Sequence, residues 1–119
     1  MSVPAGKLRH RIAIQEYRYA SQDLVTGEER RDWTTVHECW ASVEPLSARE
    51  FIAAQATQSK ITTRITIRYM DGIDASMRIV FAKRGEQKVF NIEGVLADND
   101  SGLAYLTLPC SEGVSINGQ

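Results

Sequence analysis

The apolar positions of this chain recur mostly at two-residue spacing. Leu8, His10, Ile12 and Ile14 alternate with Arg9, Arg11, Ala13 and Gln15, the period of a strand with one buried and one wet face. The signal is strongest where Ile61, Thr63, Ile65, Ile67 and Tyr69 alternate with Thr62, Arg64, Thr66 and Arg68. Met77, Ile79 and Phe81 repeat it, and Lys83-Arg84-Gly85-Glu86 predicts a tight hairpin leading to Val89, Phe90, Ile92 and Val95. Asp71-Gly72 and Asp98-Asn99-Asp100-Ser101-Gly102 read as turns, after which Leu103, Tyr105, Thr107 and Leu108 carry a last strand to Pro109 and Cys110. Trp33 to Val43 is rich in the aromatic and β-branched residues that suit a pleated surface. The three-residue step from Trp33 to Val36 breaks its alternation, as a β-bulge would, and Pro45 ends it.

One segment departs from the two-residue period. Ser47-Ala48-Arg49-Glu50 places a hydroxyl and a carboxylate three residues apart, the spacing of a capping box. The Phe51-Ile52-Ala53-Ala54-Gln55-Ala56 run that follows has no Gly or Pro, so a short helix is predicted there, leaning on a sheet. Tyr17 to Arg31 reads as a long hairpin-like excursion with its tip near Leu24-Val25-Thr26-Gly27. That length goes with binding, which makes the segment a candidate interaction element; a solvated loop in which Tyr17 and Tyr19 merely continue the strand is the other reading. The sum is a mainly β chain: a small antiparallel barrel or sandwich of about six strands with one short helix and a long loop. It reads as one domain over residues 1–119, with flexible ends at 1–6 and 113–119.

Composition narrows the function classes. The 119 residues carry 14 basic and 15 acidic side chains, a formal charge of -1. A chain so balanced does not depend chiefly on attraction to phosphates or an anionic membrane, although a local basic stripe stays open. Its apolar runs are too short for a membrane span or a signal-peptide core, so a soluble protein made in the cytosol is expected. Cys39 and Cys110 are the only cysteines. Far apart in a chain large enough to build its own core, they are expected to be small buried hydrophobes and not a disulfide.

Candidate chemistry is sparse. No serine elbow, papain-like cysteine context or glycine-rich phosphate loop is present, so no catalytic residue, cofactor or metal is assigned. His37 and Cys39 lie two apart, one residue either side of Glu38, yet zinc would need two further ligands from an unpaired pattern. Asp98, Asp100 and Gly102 resemble the opening of a calcium loop, but the position of its closing acid is Pro109. The positive feature is basic. Arg64 and Arg68 share the polar face of the strongest strand, and Arg9, Arg11 and Arg78 join them if the neighbouring strands allow. Such a stripe would pair with acidic groups on a partner or with nucleic-acid phosphates; a solvated face balanced by glutamates is the alternative.

Laid end to end, these segments resemble the head-tail adaptor, or head-closure (stopper), proteins of long-tailed bacteriophages. The resemblance is carried by Gly6-Lys7-Leu8-Arg9-His10-Arg11-Ile12-Ala13-Ile14-Gln15, by Trp33, and by Trp40-Ala41-Ser42-Val43-Glu44-Pro45-Leu46-Ser47-Ala48-Arg49-Glu50. It continues through Ile65-Thr66-Ile67-Arg68-Tyr69, Gly72-Ile73, Met77-Arg78-Ile79 and Phe90-Asn91-Ile92, in family order over about residues 6 to 112. It implies a non-enzymatic virion assembly protein at the head-tail interface, one protomer of a homo-oligomeric ring. Its implied partners are portal or connector proteins, a tail-completion or tail-terminator protein and the packaged DNA. Candidate contact residues are Arg9, Arg11, Leu24, Val25, Thr26, Gly27, Arg64 and Arg68, with the segment from Gln55 to Lys60. A stand-alone oligonucleotide-binding barrel using Arg64, Arg68 and Tyr69 is the alternative function.

Overall fold

The two-residue alternation resolves into strands wrapped around one row of inward side chains. The computed structural model describes residues 8–22, 24–83, 85–97 and 102–113, with the backbone alone at 19–21, 29–31 and 83. The elements are β1 (His10–Gln22), β2 (Glu29–Pro45), α1 (Ala48–Ala56), β3 (Thr63–Arg68), β4 (Arg78–Lys83), β5 (Glu86–Ile92), β6 (Leu96–Ala97) and β7 (Tyr105–Glu112). All pairings are antiparallel. The sheet order β3-β2-β1-β4-β5-β7 is closed by pairing of β3 with β7, and β6 lies outside on β7. The result is a closed six-stranded barrel, so the wall has no edge strand over its paired length.

Ile12 and Ile14 of β1, Ile65 and Ile67 of β3, Ile79 and Phe81 of β4, Phe90 and Ile92 of β5, and Leu106, Leu108 and Cys110 of β7 fill the barrel. Isoleucine dominates because its branched β-carbon packs well on a pleated surface. On β7 the inward residues are Leu106, Leu108 and Cys110, so the sequence-predicted face of Leu103, Tyr105 and Thr107 is the outer one. Pro109 is tolerated because on that edge of β7 the neighbours change from β6, at residues 106–107, to β5, at 110–112. A missing N–H falls in the gap between them. The expected turn at Asp98 to Ser101 and the ends 1–6 and 114–119 lie outside the described residues.

Two bulges interrupt the β1–β2 ladder. Ile14 faces His37 and Gln15 faces Thr35, which leaves Val36 as the extra residue; a second shift lies between Tyr19 and Ser21. The expected irregularity between Trp33 and Val36 is therefore a bulge. The ladder continues to Gln22 opposite Glu29, so most of the Tyr17–Arg31 excursion is strand and not loop. β4 leaves β1 at Gln15 and β3 leaves β2 at Ala41. Beyond those points the hairpin stands out as a two-stranded arm, its seven further β1 residues spanning about 23 Å. The envelope measures 54 × 31 × 30 Å.

The helix has the predicted cap. The Glu50 amide donates to Ser47 Oγ and the Ser47 amide to Glu50 Oε1, both at 3.2 Å. Its other end closes as a Schellman turn: the Ser59 amide donates to the Ala54 carbonyl at 2.9 Å and the Gln58 amide to the Gln55 carbonyl at 3.0 Å. Gln58 occupies the left-handed position, φ 57, that such turns usually give to glycine. Against the expectation that α1 leans on the sheet, it has no buried residue. The Leu46 amide bonded to the Thr62 carbonyl at 3.0 Å, and the ion pair of Arg64 with Glu50, tie its start to the barrel.

Candidate assembly interface

Because β-strand side chains alternate, every residue next to a core isoleucine points out of the barrel. The outward row of β1 is Arg11, Ala13, Gln15 and Tyr17, and the register sets opposite them Trp40, Glu38, Thr35 and Trp33. Arg78 joins from β4, opposite Gln15. Cations and aromatic rings thus interleave along one wall. The Arg11 guanidinium lies 5.6 Å from the Trp40 ring centroid and that of Arg78 lies 4.3 Å from the Trp33 ring. Trp33 meets Tyr17 with centroids 5.3 Å apart. Arg78 Nε also donates to Gln15 Oε1 at 2.8 Å, and Gln15 Nε2 to Thr35 Oγ1 at 3.2 Å. Partial burial moves the Arg78 pKa below its ordinary value, while its height keeps the side chain charged.

Trp40 remains 54% exposed and Trp33 36%. Tryptophan is highly buried on average, and bare tryptophan flanked by arginine is the composition of binding hot spots. Arg68 lies one residue beyond the Ala41–Ile67 pair, which brings it to the outer side in the row of Trp40 and Arg11. A second bare patch is on the helix, where Phe51 and Ile52 are both exposed. A third is the arm tip: Leu24 is 98% and Val25 93% exposed. The tip is shaped by its own bonds, Gln22 Nε2 donating to the Gly27 carbonyl at 3.1 Å and the Glu28 amide to Thr26 Oγ1 at 3.3 Å. Gly27, at φ 77, supplies the left-handed residue.

The basic stripe expected from the sequence is therefore divided. Arg11 sits on the β1 wall with Arg68 near Trp40, and Arg9 is exposed just ahead of β1, but Arg64 donates to Glu50 Oε2 at 3.1 Å. Arg78 is stacked on Trp33 at the base of the arm. The Tyr69 hydroxyl donates to Asp71 Oδ1 at 2.7 Å, so Arg64 and Tyr69 of the expected stacking platform each have an acidic partner. Leu24, Val25, Thr26 and Gly27 lie together at the tip, as the sequence placed them. The sequence pattern does not mark Trp40, Phe51 or Ile52 as contact residues. Their signal was available only for Trp40, whose place in the alternation of β2 is opposite to that of Ala41.

The Cys110 thiol is fully buried and pushed up to about 12, chiefly by burial and further by the Glu93 carboxylate. Burial also raises the Cys39 thiol, against a lowering by Arg11. Both are free thiols. No group of three or more His, Cys, Asp or Glu among the described residues is placed to hold a metal ion. A recess of about 210 Å³ beside Gln87, Lys88, Phe90 and Glu112 is smaller than the ~300 Å³ at which small-molecule sites begin.

A closed barrel with a packed interior, exposed tryptophan and arginine on its wall, and a projecting arm offers the surface chemistry of a protein-protein contact. The comparisons with known proteins agree. The chain matches the family model of the phage head completion protein over residues 3–113, and it belongs to that family. Its place is accordingly structural, in the bacteriophage head, in contact with other virion components. The solution structure of protein SF1141 from Shigella flexneri 2a is similar, with 35% identity over 93% of this chain and 97% of that one and a TM-score of 0.72. A chain in the virion of a native gene transfer agent particle matches at 20% identity over 91% and 97%, with a TM-score of 0.49. No curated protein matches this chain.

Proposed function

We propose that this protein completes the filled head by closing its DNA exit and joining it to the tail, as one protomer of a homo-oligomeric ring at the head-tail interface. The portal or connector would take one end of the ring and a tail-completion or tail-terminator protein the other, with the packaged DNA in the channel. The observation that carries the reading is membership of the head completion family across residues 3–113.

The geometry supports the details. A ring requires one patch on each copy to meet a different patch on the next, and the chain carries separate bare patches on its wall, its helix and its arm tip. Each patch has the aromatic or aliphatic anchors that such contacts use. The arm reaches a partner beyond the barrel without adding to the core.

The test is a particle assembled without this chain and complemented by variants. Loss of the chain should give packaged heads that leak DNA and lack tails. Deletion of residues 20–28 should leave a folded monomer that still unfolds cooperatively but no ring or connector assembly. Full infectivity with that deletion would overturn the role assigned to the arm, and tailed, infectious particles without the chain would overturn the function.

A further inference from the structure

The arm has two strand edges with no strand beside them among the described residues. β4 stops at Gln15 on one side and β3 at Ala41 on the other. Beyond them, residues 16–22 of β1 and residues 33–39 of β2 pair only with each other's strand. In an antiparallel ladder alternate residues aim their N–H and C=O away from the partner, so each outer side presents a row of backbone donors and acceptors. Such a row is a template for another strand.

The two edges fit each other in direction. β1 runs from the barrel toward the tip and β2 runs back. Two copies standing side by side in the same orientation set β2 of one against β1 of the next, and those strands are antiparallel. The contact is heterologous, since one edge meets a different edge, and it repeats from copy to copy until the ring closes. A closed sheet also needs its strands staggered. The bare edge of β2 reaches nearer the barrel than that of β1, which leaves room for the stagger.

We propose that in the assembled state the arms of neighbouring copies pair edge to edge, β1 residues 16–22 of one chain against β2 residues 33–39 of the next. Each copy then contributes two strands to one continuous antiparallel sheet, and its closure removes the bare edges. The occupant of each edge is a second copy of this chain, so the inference rests on the ring reading above. In the separate chain the bulges at Val36 and near Tyr19, with the charged Glu16, Arg18 and Glu38 beside the edges, discourage pairing with a stray strand.

The test compares amide hydrogen exchange of the full chain, free and assembled on DNA-filled, portal-bearing heads. Alternate amides in 16–22 and 33–39 should slow about ten-fold or more on assembly, as ladder bonds replace bonds to water. A short bismaleimide should also join Tyr17→Cys of one chain to Thr35→Cys or Glu38→Cys of another, in a Cys39→Ser background. Rings whose arm amides exchange as in the free chain, or whose arms protect without any cross-link between copies, would overturn the arm pairing and leave the ring reading standing. A chain that binds heads without forming any ring would overturn both.

Discussion

Truncating Ile67 tests whether the closed barrel holds this protein together. Ile67 has no exposed surface and lies in β3, with Ala41 of β2 on one side and Leu106 of β7 on the other. β3 is the strand through which β2 and β7 close the wall, so its neighbours are held on both sides and cannot collapse far into a void. Ile67→Ala removes side-chain carbons worth roughly 0.8 kcal/mol each by transfer, and the unfilled cavity adds to that; buried isoleucine truncations cost about 2–5 kcal/mol. We expect a loss of about 3 kcal/mol, a large fraction of the roughly 5–15 kcal/mol available to a domain. With an unfolding entropy of about 2.1 cal/mol/K per residue, that loss lowers Tm by about 12 °C in a chain of this size. Urea titration followed by far-ultraviolet circular dichroism measures it, and the slope m should not change. Ile52→Ala, on the bare face of α1 at 68% exposure, is the control and should stay within about 0.5 kcal/mol. A loss below about 1 kcal/mol at Ile67 with unchanged m, or an equal loss at Ile52, would refute the assignment of core and surface.

Three further outcomes follow from local chemistry. At pH 8 a thiol reagent should modify Cys39 slowly and Cys110 only on unfolding, because burial pushes the Cys110 thiol up to about 12; equal rates in the native protein would contradict the packing. The Glu50 carboxyl is held below its ordinary value of 4.5, first by the Ser47 amide and then by the Ser47 hydroxyl, with a smaller contribution from Arg64. A depressed carboxyl stabilises above its unfolded pKa and loses that effect as pH falls through the folded value. The helical signal should therefore weaken below pH 4.5 in the parent and show no such step in Glu50→Gln, and an identical acid titration of the two would count against the capping box. Gln58→Gly relieves the left-handed backbone at the end of α1, and helical content should rise with a gain of up to about 1 kcal/mol in local stability; a decrease would show that Gln58 contributes something beyond its backbone.

Much of the fold was legible in the chain, and what escaped did so for identifiable reasons. Ile12 and Ile14, Ile65 and Ile67, and Ile79 and Phe81 announce their strands because each must reach the core while its neighbours stay out. Ser47 and Glu50 announce the helix start because both halves of the cap lie within one turn. The arm hid its strands: past Gln15 neither β3 nor β4 accompanies the hairpin, so no core imposes an apolar alternation to read. β7 misled the reading of its faces because Thr107, Pro109 and Cys110 differ too little in polarity to mark a side. The exposed side of α1 could not be foreseen, since Phe51 and Ile52 look the same in a sequence whether or not something covers them.

Taken alone, the order of amino acids determined which short stretches extend, which one coils, where the chain turns, and that it carries no familiar catalytic pattern. These are properties of neighbouring residues, and burial imprints them one position at a time. Only the tertiary structure decided that Arg11 and Arg68 share a wall with Trp40 while Arg64 is turned aside to Glu50, and that the β1–β2 hairpin outruns its barrel. Those facts depend on the register between strands distant in the chain, which backbone hydrogen bonds and the closure of the barrel set together and no local pattern of side chains specifies.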